Sequence, residues 1–449
     1  MKARNTSRLA DRIWRFSVGG ALLATGTLVY YRSAAGTAGA AGGSNVSPVI
    51  ANPSPAAPLQ TQDQQNQPNQ MDVFQPSGAQ AAQSVLRIFQ YGWLQLHPHF
   101  DYQWLVGNGV QSSPGAGQST VIQNFSPGLL VDLGPHWVFD YTPTFQFYSA
   151  KQFKDTLNHS LSLAGGFEYN EWKFGLSHST QITSEPLVET GSQTDQTSHG
   201  TGITATRMLN SHLSADFSLN QNINLVGGYD NSYDWGTMEA ITCHFGPRLQ
   251  AGLGAGGGYV LVQSGHQTAS AGNLNQYYEE LQLQAAWRAT DKLGFQAFGG
   301  FEDRQFMLAG SGDSLSPIFG LSIQYQPFKN TEISLDANRT VSSSDYYLAA
   351  QEMDITSVGV SINQRLIRRY QLGAGISYSR MDYGVSIGGS NPAAANRSDD
   401  VVSLNVRLSH PFHKRGSWSV FYQYSDDHSS QSGFTYNSNQ MGFEISYAF

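Results

Sequence analysis

Large apolar residues recur along this chain with a period of two. From Met441, the residues Phe443, Ile445, Tyr447 and Phe449 alternate with Gly442, Glu444, Ser446 and Ala448, which are polar or small. A period of two is that of a β-strand with one apolar face. From Trp137, the residues Phe139, Tyr141, Phe145 and Phe147 share one face against Asp140, Thr142, Thr144 and Gln146 on the other. The same pattern returns at Leu161, Leu163, Phe167 and Tyr169, at Leu213, Ala215, Phe217 and Leu219, and at Leu281, Leu283, Ala285 and Trp287. It returns again at Phe319, Leu321, Ile323 and Tyr325, and at Val402, Leu404, Val406 and Leu408. A soluble sandwich also has one apolar face per strand, so the opposite register has to discriminate. That register carries Asp216, Ser218, Asn220 and Asn222 on one strand, Glu280, Gln282, Gln284 and Arg288 on another, and Ser403, Asn405 and Arg407 on a third. Segments of about twelve residues exceed the mean soluble strand of about 5–6 and suit a tilted bilayer crossing.

The connections alternate in length. Short ones fall at Gly134-Pro135, Asn170-Glu171, Asn210-Ser211, Gly246-Pro247, Asp291-Lys292, Lys329-Asn330, Arg368-Arg369 and from His413 to Gly416. Longer polar stretches lie between them, such as Thr183 to Ser198, Ser264 to Leu274, Asp303 to Asp313 and Gly384 to Asp400. Short turns on one side and longer loops on the other are the pattern of outer-membrane barrels, with the turns in the periplasm. Counting from a first strand near Trp93 to Val106, the segmentation predicts an all-β fold. It is a transmembrane antiparallel up-and-down β-barrel of about 18 strands, 16 being possible, over residues 84–449. The glycines Gly252, Gly254, Gly256, Gly257 and Gly258 predict a bulge or a close packing spot in one strand.

Two segments precede the barrel. Residues 1–40 read as a signal peptide: Lys2, Arg4, Arg8, Arg12 and Arg15 lead into an apolar core from Phe16 to Tyr31, and Ala38-Gly39-Ala40 offers a cleavage site. An uncleaved anchor is the alternative, and the core is short for a spanning helix. Residues 41–83, rich in proline and glutamine, read as a disordered periplasmic segment, with too little apolar material to form a plug.

With those strands and turns in place, a resemblance can be stated. The stretch from Trp93 to His178, with Leu96-His97-Pro98, Ser126-Pro127-Gly128, Phe139-Asp140-Tyr141-Thr142-Pro143 and Leu157-Asn158-His159-Ser160-Leu161, resembles the second of the β-barrel porin families of outer-membrane proteins. The likeness runs from about residue 90 to the end. It implies a barrel in the outer membrane of a Gram-negative bacterium and no catalytic residues. Some members of such families accompany exopolysaccharide loci, which implies export as an alternative role. The alternating stretch Phe443, Ile445, Tyr447 and Phe449 resembles the strand that the barrel-assembly machinery recognises.

Composition narrows the partners. Of 449 residues, 13% are charged, 40% hydrophobic and 12% aromatic, with 47 glycines. That is about half the usual charge of a soluble surface. The single Cys243 excludes a disulfide framework or thiolate cluster, and the formal charge of −8 argues against nucleic acid. No cofactor or metal site is expected; His97 and His99 share a face but lack a third ligand. Gly312-Asp313-Ser314-Leu315 spells a lipase block, yet Asp427-His428 lacks the spacing of that family. A lipid hydrolase would otherwise need His159 or His178 beside a serine on the outer wall. The expected function is passive diffusion of small hydrophilic solutes or ions, with outer-membrane lipid and lipopolysaccharide as surroundings and the oligomeric state open. The lumen-facing candidates are Asp132, Asp140, Glu168, Lys173, Asp216, Arg248, Glu280, Arg288, Glu302, Arg304, Asp336, Arg365, Arg407 and Glu444. Acids assigned to the long loops and their edges, among them Glu185, Glu189, Asp195, Asp230, Asp234, Asp303, Asp313, Asp345, Asp399, Asp400, Asp426 and Asp427, make the mouth negative and predict a modest cation preference.

Overall fold

The computed structural model describes residues 90–113, 116–187, 192–263, 273–307, 313–343, 352–384, 397–413, 415–431 and 433–449. The expected signal and proline-rich segments, and Glu189 and Asp345, lie outside them. The two-residue β1 (Gln90–Tyr91) folds back through Gly92 onto the start of β2 (Leu94–Ser113). Then follow β3 (Ala116–Leu133), β4 (Trp137–Tyr148), β5 (Thr156–Tyr169), β6 (Trp172–Leu187) and β7 (Ser192–Asn210). Next come β8 (Leu213–Val226), β9 (Asn231–His244), β10 (Leu249–Gln263), β11 (Gln276–Thr290), β12 (Leu293–Phe306) and β13 (Ser314–Phe328). The last are β14 (Thr331–Ser343), β15 (Glu352–Arg365), β16 (Gln371–Tyr383), β17 (Ser398–Phe412), β18 (Gly416–Ser429) and β19 (Tyr436–Ala448).

From β2 to β19 each strand pairs antiparallel with its chain neighbours, and β19 pairs with β2 from Asn439↔Asn108 to Ala448↔His99. Eighteen strands thus close into a barrel without a free edge. The Phe449 N–H donates to the Pro98 carbonyl at 2.9 Å, which extends the seam by one residue. Phe443 packs its ring at 6.0 Å from Tyr102 and 5.9 Å from Trp104 across it.

The shortest of these strands, β4, has 12 residues and the longest, β2, has 20. At about 3.3 Å per residue and a tilt of about 40°, even twelve residues rise about 30 Å, more than an apolar band of about 25 Å requires. All eight predicted short turns lie at one end of the barrel. Asn170 and Glu171 both take positive φ, 46° and 67°, the hand that continues the strand twist through a two-residue turn. The opposite end departs from expectation. β2 continues to Ser113, well past Val106, and β6 and β7 run to Leu187 and from Ser192, so most of Thr183 to Ser198 is hairpin and not loop.

Side chains splay apart on the convex face of a barrel and converge on the concave one, so contacts between strands two apart mark the inside. The Tyr278 hydroxyl on β11 donates to Asp234 on β9 at 3.1 Å, His99 on β2 meets Thr142 on β4 at 3.1 Å, and Arg407 on β17 meets Glu444 on β19 at 3.1 Å. The middle strand must be bare where such pairs cross. A Cβ on Gly128 would collide with His99 and Thr142, and one on Gly258 would collide with the Tyr278 ring. β10 keeps an unbroken register with both neighbours. The concave glycines Gly252, Gly254, Gly256 and Gly258 are therefore close packing spots and not a bulge, while Gly257 falls in the convex register. The convex face carries the large apolar side chains, among them Leu253, Leu281, Leu283, Phe301 and Phe319, all exposed. Among the described residues there is no central apolar core. Two small apolar clusters sit on the concave side: Met353, Ile355, Met381, Tyr383, Val401 and Tyr436 toward the loop end, and Leu105, Ile122 and Phe421 beneath Tyr148.

Candidate functional site: the concave wall

The period of the strands places every second residue on the concave wall, and the register identifies which. Asp132, Asp140, Asp216, Glu280, Glu302, Arg304, Asp336, Arg407 and Glu444 occupy concave positions within their strands. The others of the predicted set lie at the turn rim. Glu168 and Lys173 face each other across the β5–β6 turn at 3.5 Å, both about half exposed. Arg248 and Arg288 share Asp291 at 3.3 and 3.8 Å, and Arg365 is exposed at the end of β15.

Four polar groups stand out on the wall. Over β2 to β4, His97 meets Asp132 at 3.1 Å, His99 meets Thr142, and Thr142 donates to Asp140 at 3.3 Å. Different partners hold the two imidazoles, so they do not converge on one point. On β8, Asp216 accepts from Thr206 at 2.5 Å and Thr242 at 3.3 Å. Over β9 to β12, the buried Arg304 binds Glu302 at 2.6 Å and Gln276 at 2.9 Å and lies 5.3 Å over the Tyr278 ring, whose hydroxyl holds Asp234. On β17 to β19, Arg407 grips both oxygens of Glu444 at 3.1 and 3.2 Å and lies 5.4 Å over Phe421.

Near the loop end the chain itself fills part of the interior. Arg397 is buried with Asp399 at 2.5 Å and stacks over Phe434 at 4.0 Å and Tyr383 at 5.0 Å, while Asp427 is fully buried beside them. Burial also pushes the Tyr229 phenol in the β8–β9 connection up, against a hydrogen bond to Ser192 that lowers it.

Sequence reasoning missed Asp101, Asp234, Gln276, Tyr278, Arg397, Asp399 and Asp427 as concave residues. Their parity was available, but near the loop end both faces turn polar, as in Ser425, Asp426, Asp427 and His428, and the apolar marker of the outer face is lost. The mouth acids also divide differently from expectation. Asp234, Asp399 and Asp427 point inward, whereas Asp303, Asp400 and Asp426 lie on the convex face.

The hydrolytic candidates are kept apart. Ser314 begins β13 opposite Arg304, and on the distant β18 Asp427 faces inward while His428 faces outward. His159 and His178 do lie on the convex face, where His159 meets the Tyr141 hydroxyl at 2.9 Å and His178 meets Thr201 at 2.9 Å and Thr180 at 3.1 Å. The hydroxyls that meet them belong to a tyrosine and two threonines, not to serines. Among the described residues, no three His, Cys, Asp or Glu side chains converge to hold a metal ion.

No family model matches the chain, and no curated protein matches it by sequence. Among solved structures the chain is similar to Acinetobacter baumannii OccAB3, at 8% identity and a TM-score of 0.42, covering 79% of this chain and 99% of that one. It is also similar to Pseudomonas aeruginosa OccK3 (OpdO), at 11% identity, a TM-score of 0.41, and 79% and 95% coverage. A third is the FrpB iron transporter from Neisseria meningitidis, at 10% identity, a TM-score of 0.44, and 77% and 63% coverage. The closure and strand number stated above come from this chain's own hydrogen bonds.

Proposed function

We propose that this protein is an outer-membrane channel for passive diffusion of small hydrophilic solutes or ions. The observation that carries this reading is the division of one closed eighteen-stranded sheet into an apolar convex face and a polar concave one. Barrels of sixteen to eighteen strands are wide enough to leave an aqueous channel. The convex belt calls for hydrocarbon around it, and a closed sheet satisfies every backbone group there without water. Aromatic residues line both borders of that belt: Trp172 and Phe174 stack at 5.7 Å at the turn end, and Tyr259 lies between Trp235 at 6.4 Å and Tyr277 at 4.9 Å toward the loop end. Such girdles sit at the two lipid–water interfaces.

Among the described residues, the charged groups of the concave wall do not converge on one point. Its charges are spread around the circumference and largely matched to neighbours, as in Glu302–Arg304 and Arg407–Glu444. A wall of that kind passes solutes without holding them. The residues of the predicted lumen set would then act as field and size determinants, with Asp101, Asp132 and Asp140 forming a negative sector beside the seam. Planar-bilayer conductance of the purified protein tests the proposal, with the full chain and with residues 41–83 deleted. Ohmic single-channel steps are the expected result. A protein that inserts into the bilayer without conducting in either form would overturn it.

A further inference from the structure

One sector of the convex face does not match its surroundings. On β6 and β7, His178 meets Thr201 and Thr180, and Thr180 meets His199 at 2.9 Å, which forms a connected polar chain on the outer wall. Three strands away from β6, Glu239 also lies on the convex face, opposite Phe217 on β8 and Ala255 on β10. It is exposed, and its own backbone N–H is the hydrogen-bond partner of its carboxylate among the described residues. Neither group lies at a border. His178 is six residues above Trp172, the turn-end residue of β6, and Glu239 is five residues above His244, that of β9. On a tilted strand these positions stand about 15 Å and about 13 Å up a band about 25 Å tall. An ionisable side chain on a hydrocarbon-facing wall is costly to leave alone, and its usual explanation is a partner.

We propose that this sector is an interface with further copies of the same chain, in which Glu239 of one barrel meets His178 and Thr201 of the next. The proposal rests on the reading of the barrel as membrane-spanning. Height is preserved when copies are related by an axis along the membrane normal, so only groups at similar heights can meet, and these two do. The chemistry is complementary: on β9 a carboxylate that accepts hydrogen bonds, and on β6 and β7 an imidazole and a hydroxyl that can donate them. The angle between them sets the number of copies. β6 and β9 are separated by three of eighteen strand intervals, about a sixth of the circumference or about 60°. In a closed ring of three cylinders, each touches its two neighbours along lines 60° apart as seen from its own axis. A two-fold pair would leave both groups about 30° away from its single contact line. The arrangement therefore fits a three-fold ring, in which each contact is heterologous and the rotation closes.

The test is cysteine cross-linking in membranes. Cys243→Ala removes the native thiol, and His178→Cys with Glu239→Cys then places one thiol on each side of the contact. Oxidation is expected to give covalent dimers and trimers with no larger species, whereas either cysteine alone leaves monomers. Monomers from the double variant, or homotypic dimers from Glu239→Cys alone, would overturn the arrangement. Heat-modifiable migration of the same variants in the membrane fraction reports on the barrel itself, so loss of the membrane barrel and loss of the interface are told apart. As a second measurement, Glu239→Leu suits lipid as well as protein and is expected to yield folded monomers by native mass measurement in mild detergent. Trimers that survive Glu239→Leu would show that this carboxylate does not hold the ring.

Discussion

Leu283 is the central residue of β11, with seven residues on either side, and its side chain is 66% exposed on the convex face. Leu253 lies opposite it on β10 and Gly299 on β12, with Leu281 two residues along the strand. Replacing Leu283 with arginine puts a guanidinium near the middle of the apolar band. The side chain reaches about 6 Å, while either border is about 12 Å away, so snorkelling relieves only part of the penalty. The expected cost is about 2–4 kcal/mol, or about 30-fold to 700-fold in the folding equilibrium. Gln284, the next residue, faces the concave wall, where water can hydrate a charge, and Gln284→Arg is expected to cost less than about 1 kcal/mol. The assay is reversible denaturant unfolding from phospholipid vesicles, followed by tryptophan fluorescence, with both variants at matched lipid composition. Equal losses at Leu283 and Gln284 would refute the reasoning, because they would mean that both faces are dry. A loss confined to Gln284 would reverse the assignment of faces.

Three further outcomes follow from the concave wall. Gly258→Val drives a methyl into the Tyr278 ring and is expected to destabilise the barrel by about 1–3 kcal/mol, whereas Gly299→Ala, whose added carbon meets open space, stays within about 0.5 kcal/mol in the same unfolding assay. Arg407→Met leaves Glu444 unpaired in a part-buried site and is expected to cost about 3–5 kcal/mol; adding Glu444→Gln should recover much of it, and a double-mutant cycle without coupling would show that the pair contributes nothing. Among the described residues the inward acids Asp101, Asp132 and Asp140 form no ion pair with an arginine or lysine, so reversal potentials across a salt gradient are expected to show cation preference, strongest at low salt where screening lengths exceed about 10 Å. Asp101→Asn with Asp140→Asn should reduce that preference, and an anion-selective wild type would contradict the charge argument.

The strands of the barrel were legible because two independent signals agree in each. Trp137 to Phe147 alternates in large aromatic residues, and Gly134-Pro135 before it and Asn170-Glu171 after the next strand carry turn chemistry that holds regardless of tertiary context. The loop end was less legible for a physical reason. Beyond the apolar belt the outer face meets water too, so in Thr183 to Ser198 alternation disappears although the hairpin continues. The wall chemistry was legible only within each strand. Parity places Asp234, Tyr278 and Arg304 inward one at a time, but that they meet depends on the curvature that closure imposes and on the bare glycines of β10. Arg397 could not be placed by parity at all, because it precedes β17 and reaches the interior from a connection.

The seam between β2 and β19 has a kinetic consequence. It joins Asn108 to Asn439, residues separated by almost the whole described chain, whereas every other strand pair is a local hairpin. The entropy of such a closure grows only as the logarithm of length, about 0.6 kcal/mol per doubling, so the finished barrel is scarcely weakened by it. The rate is another matter, since long-range pairing must be reached before it rewards the chain. Until then both seam strands present unpaired N–H and C=O groups, along with the apolar faces of Trp104 and Phe443. An unclosed chain is therefore a sheet with two adhesive margins, and the step that most needs protection from aggregation is the last one.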